Sequence, residues 1–151
     1  MNMEKINLPN DEFFRTVKER IDEGRSVAIK PKGNSMVPVI RSGRDTVVLS
    51  PVTGELKTGD ILLFVVGGKH VLHRLVSIDG DRLTMMGDGN SRGMECCLRS
   101  DVVAIVTKII REGKSIGHAP GRACVWRFLR PVRRYILAIY RRLIPSDFAA
   151  L

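Results

Sequence analysis

The hydrophobic periodicity of this 151-residue chain changes at Gly24, and that change limits what the chain can build. A helix shows the same face every third or fourth residue and a strand every second, so one segment cannot serve both. Before Gly24, the residues Phe13, Phe14, Val17 and Ile21 recur at helical spacing behind Asp11, a side chain suited to an N-cap. The spacing predicts a helix over about 11–24. After Gly24 the apolar residues fall into short β-branched runs: Ser26–Ile29, Thr46–Leu49, Ile61–Val66, His70–Ile78, Arg82–Met86 and Val102–Ile110. Turn-forming groups such as Lys32-Gly33-Asn34, Gly67-Gly68 and Asp79-Gly80 separate them. This pattern predicts a mainly β domain over 1–112, a coiled antiparallel sheet or partly open barrel preceded by one helix.

A Gly/Pro-bearing linker over 113–121 leads to a basic tail over 122–145. On a helix of about 100° per residue, Val125, Phe128, Leu129, Val132, Ile136, Ile139, Tyr140 and Leu143 fall within an arc of about 120°. Arg127, Arg130, Arg134 and Arg141 lie on the other side, and Pro131 marks a kink or the start of a second helix. From Arg111 onward the chain has nine basic residues against two acidic ones, net +7 of a total of +9. A basic amphipathic helix of this kind suits an anionic membrane surface, apolar side chains at the headgroup boundary and arginines on the headgroups. A helix docked on its own domain has the same wheel. Nucleic acid is the less suitable anion, because an apolar stripe has no role in a phosphate groove.

Cys96, Cys97 and Cys124 are odd in number and lack paired metal-ligand spacing, which argues against a disulfide framework and structural zinc. Cys96 and Cys97 read as packing residues. His70 and His73, three apart on a strand, point to opposite faces and make a poor metal pair; His118 has no visible partner. No metal or cofactor is expected. The N-terminus lacks a secretory signal and no apolar run is long enough to span a bilayer. The expectation is a cytoplasmic protein held peripherally on the membrane.

Gly33-Asn34-Ser35-Met36-Val37-Pro38 sets a serine in a tight turn between two strands, where its hydroxyl and backbone N–H can meet one carbonyl. Three further segments follow in order: Lys57-Thr58-Gly59-Asp60-Ile61-Leu62-Leu63-Phe64, then Val71-Leu72-His73-Arg74-Leu75-Val76, then Met86-Gly87-Asp88-Gly89-Asn90. Together, from roughly Lys30 to Ile110, they resemble the boxes of the type I signal peptidases, whose catalytic fold is shared with the self-cleaving SOS-response repressors. Most bacterial members place a lysine before the arginine of the third box. Here that residue is His73, so the resemblance is to the histidine branch of endoplasmic-reticulum and archaeal enzymes.

The resemblance implies Ser35 as nucleophile and His73 as general base, a role suited to an imidazole that titrates near neutrality. The base then needs a carboxylate; Asp88 ranks first and Glu95 close behind. Asn34 and Met36, which flank Ser35, are candidates for the oxyanion and substrate-binding elements. Lysine-type members supply a serine hydroxyl two residues before the nucleophile, but Gly33 stands there. Substrate would bind as an added strand, along the segment leading into Ser35 and the Arg82–Met86 run. The expected activity is serine endopeptidase cleavage of leader or signal-type peptides at small-residue sites. The alternative is a non-catalytic regulatory or nucleic-acid- or membrane-binding module that keeps the fold.

Overall fold

The computed structural model describes residues 10–90, 93–117 and 132–143. Helix α1 runs Asn10–Asp22, with Asp11 and Glu12 in its first turn, where carboxylates favour the helix dipole. Eight strands follow among the described residues: β1 (Val27–Ile29), β2 (Asp45–Ser50), β3 (Ile61–Val66), β4 (Lys69–Asp79), β5 (Arg82–Met86), β6 (Glu95–Leu98), β7 (Val102–Arg111) and β8 (Lys114–Ile116). A second helix, α2, spans Arg133–Leu143. All strand pairings are antiparallel, in the order β1-β2-β7-β3-β4-β5-β6, with β8 added on β7. The sheet curls into a half-barrel, so β6 returns to touch β3 across the width of β4 and β5.

The curl creates two cores on the two faces of β3. Ile61 and Leu63 point into the first, with Val17 and Ile21 of α1, Val47, Leu49, Val106 and the loop residues Met36 and Ile40. Leu62 and Phe64 point into the second, with Leu75, Leu83, Met85 and Cys97. A strand buried on both faces requires an unbroken apolar run, which Ile61–Val66 is. Truncating Leu62, Leu63 or Phe64 to alanine would cost about 2–5 kcal/mol.

Two strands were not expected from the pattern. β6 carries no β-branched residue and is held by register, with Leu83 opposite Cys97 and Met85 opposite Glu95. β8 falls at the start of the expected 113–121 linker. It forms a hairpin with β7 because Glu112 and Gly113 both take positive φ, 51° and 75°, the conformation a two-residue type I′ turn needs. Residues 118–131, including His118, Cys124, Pro131 and the first half of the expected tail helix, lie outside the described residues. No described helix is long and apolar enough to cross a membrane.

Candidate active site

Strand alternation sorts the polar residues of β4. His73 lies opposite Leu62, a second-core residue, so its ring enters that side and sits 6.2 Å from the Phe64 ring. Its neighbour Arg74 lies opposite Ile61 and goes to the other face. Both side chains are buried. His70, on the Arg74 face, stacks on Phe14 of α1 at 4.2 Å, so the two histidines face opposite ways as strand geometry demands.

The carboxylates follow the same sorting. Arg74 donates from Nε and Nη2 to the two oxygens of Asp88 at 2.8 and 2.7 Å, and from Nη1 to the Gly59 carbonyl at 2.8 Å. Asp88 is 2% exposed and serves as the counter-ion of a buried guanidinium. The ranking of Asp88 ahead of Glu95 is therefore corrected: the carboxylate against His73 is Glu95, whose Oε2 lies 2.7 Å from Nδ1. The register explains why. Glu95 pairs with Met85 and Met85 with Leu75, which shares its face of β4 with His73.

Continuing the β4–β5 register past Arg74 and Met86 places Gly87 opposite His73. The missing side chain leaves room beside the buried ring. A Cβ on Gly87 would collide with the Ser35 carbonyl oxygen and lie 3.0 Å from His73 Nε2. Ser35 and the free side of the imidazole thus meet over one glycine. The contact is fixed by a hydrogen bond from the Gly89 amide to the Ser35 carbonyl at 2.7 Å, and Gly89 itself lies flat on the Asn34 carbonyl, 2.5 Å from where its Cβ would be.

Of the residues flanking the serine, Asn34 is exposed, and its carbonyl accepts the Val37 amide at 3.2 Å. The Met36 side chain is buried in the first core and floors a groove of about 230 Å³. That groove runs between Ser35, Met36 and Ile40 on one side and His70, Val71 and Leu72 on the other. β5 is not available as a substrate edge, because β6 occupies the side expected to be free. Open edges remain at β1, which leads toward Ser35 and pairs only with β2 among the described strands, and at the start of β4. β5 pairs with β4 only from Arg74 onward, which leaves Lys69–His73 without a strand neighbour on that side among the described residues.

The remaining titratable groups do other work. Burial pushes the Cys97 thiol up to about 11, with Asp101 and Cys96 adding to it, so it is protonated and unreactive at neutral pH. It packs in the second core as expected, whereas Cys96 is exposed, because its side of β6 faces outward. Burial alone would raise Asp45, but hydrogen bonds from Arg111, Arg44 and the Arg41 amide hold it far below the usual carboxylate range. Asp45 thereby ties β2 to the end of β7. No cluster of metal-ligating side chains occurs among the described residues.

A search of curated proteins finds no match to this chain. A family match spans residues 3–110, the stretch that holds Ser35, His73, Asp88, Glu95 and both cores. The antiparallel half-barrel agrees with it, and the chain belongs to the Peptidase S24-like family, within the superfamily that unites self-cleaving repressors and signal peptidases.

Proposed function

We propose that this protein is a serine endopeptidase of the histidine type, with Ser35 as nucleophile, His73 as general base and Glu95 as the carboxylate behind the base. The observation that carries this reading is the 2.7 Å contact of His73 Nδ1 with Glu95, which leaves Nε2 turned to the Ser35 side over Gly87. In the first step Ser35 Oγ attacks the scissile carbonyl while its proton passes to Nε2. Glu95 accepts the Nδ1–H and stabilises the imidazolium. Collapse of the tetrahedral intermediate breaks the C–N bond, and the leaving amine takes the proton from Nε2. Water, deprotonated by the same nitrogen, then attacks the acyl carbon, and the C–Oγ bond breaks as Ser35 Oγ takes that proton back.

The open edge of β4 suits an extended substrate, whose main chain would pair along Lys69–Leu72 and run toward His73. Its side chains would enter the groove floored by Met36, whose small volume of about 230 Å³ favours small apolar residues, as in leader or signal-type peptides. Asn34 or a backbone amide beside Ser35 would supply the second oxyanion donor.

The test is cleavage of a library of leader-like peptides by the full-length protein, with and without anionic vesicles, read by mass spectrometry. Cleavage after small residues that disappears in both Ser35→Ala and His73→Ala is the expected result. Cleavage that survives Ser35→Ala removes the mechanism. Silence of wild type and variants alike, from protein that is folded, favours a regulatory module that keeps the peptidase fold.

A further inference from the structure

We propose that α2 is a docking element for an anionic phospholipid bilayer. The structure separates the two arrangements that the helical wheel leaves open. A helix docked on its own domain would bury its stripe, but Leu143 is 77% exposed, Ile139 59%, Tyr135 56% and Val132 45%. None of the described side chains of α2 belongs to either core. At about 100° per residue, Val132, Tyr135, Ile136, Ile139 and Leu143 occupy an arc of about 100°, an apolar strip running the length of the helix.

The charge pattern selects the partner. Arg133 and Arg142 fall at the two borders of the strip, and Arg134 and Arg141 fall behind it. Border arginines can reach phosphate headgroups while the strip sinks to the acyl boundary, and Tyr135 suits the headgroup level. Residues 132–143 contain no acid, so a second copy of the helix would set arginines against arginines along the strip. A phosphate groove in nucleic acid would use the arginines and leave the strip in water. An anionic bilayer satisfies both halves of the pattern. The 11-residue helix is about 16 Å long, too short to span, so it lies in the interfacial plane.

Co-sedimentation of the full-length protein with phosphatidylcholine vesicles, with and without phosphatidylglycerol, tests this with two neighbouring variants. Ile139→Asp and Ala138→Asp make the same charge change at exposed positions, one on the strip and one off it, beyond the Arg142 border. Binding is expected only with phosphatidylglycerol present. Ala138→Asp should weaken it roughly fivefold, the effect of one charge near the surface. Ile139→Asp should weaken it at least about fiftyfold, because it also puts a carboxylate into the acyl boundary. Unchanged urea midpoints establish that both variants keep the β domain. Equal losses in the two variants, absence of vesicle binding by the wild type, or a dimer that Ile139→Asp dissociates would each overturn the proposal. Duplex DNA binding as tight as vesicle binding, and indifferent to Ile139→Asp, would also overturn it.

Discussion

Asp88→Asn should damage the fold before it damages the chemistry, the reverse of what a catalytic carboxylate would do. The change keeps shape and removes one charge from a pair in which both partners are buried, Asp88 at 2% and Arg74 at 8% exposure. One of the two short hydrogen bonds to Arg74 is lost, because an amide NH2 then faces a guanidinium N–H, and the buried guanidinium loses its counter-ion while keeping the neutral Gly59 carbonyl and amide oxygen. Removing one member of a buried pair costs about 3–5 kcal/mol, a large part of the roughly 5–15 kcal/mol that a domain has in total. With a urea m-value of about 1–3 kcal/mol per M, the unfolding midpoint should fall by at least about 1 M. Glu95→Gln provides the contrast. Its side chain is a third exposed and bonds one imidazole nitrogen, so its stability cost should be about 1 kcal/mol, while turnover falls roughly 10²–10⁴-fold. Urea titrations and peptide-cleavage rates of both variants complete the comparison. If Asp88→Asn unfolds like the wild type but loses turnover, while Glu95→Gln stays active, the assignment of the carboxylates argued from their geometry is wrong.

Gly87→Ala should cost about 1–3 kcal/mol by overpacking against the Ser35 carbonyl and abolish cleavage by crowding Nε2; activity and urea midpoint together check it. Asp45→Asn should cost about 3 kcal/mol at neutral pH, since Arg44 and Arg111 lose a shared counter-ion but keep some access to water. Because the folded-state pKa of Asp45 is depressed, its contribution is complete above the ordinary value of 3.8 and fades as pH falls below it. The gap between wild-type and variant urea midpoints should therefore hold from neutral to about pH 5 and narrow in stronger acid. Burial holds His70 below its ordinary value of 6.5, with Asp11 pulling the other way, so the unfolded chain binds the proton more readily. Stability should fall as pH drops below 6.5, and His70→Phe, which keeps a ring on Phe14, should remove that part of the loss.

The switch of period at Gly24 determined the helix and the β class, because burial of one helical face or alternate strand residues is a local property that any nearby core enforces. The Ile61–Val66 and Arg82–Met86 runs were legible to the residue for the same reason. Ser35 and His73 were singled out by the resemblance that four ordered boxes carry, and the structure sets their two segments together over Gly87. The partner of His73 was not legible. Asp88 and Glu95 are seven residues apart on the chain, and both stand near the imidazole in sequence terms. Only the β4–β5–β6 register, with Arg74 drawing Asp88 to one face and Glu95 reaching His73 on the other, separates them. The open edge of β4 has the same origin, for it depends on where β5 stops and on β6, a strand without local β signal that exists through its pairing. Sequence sets which face each side chain takes along its own strand; which faces meet is a matter of register and curl, and those are set by contacts between segments far apart in the chain.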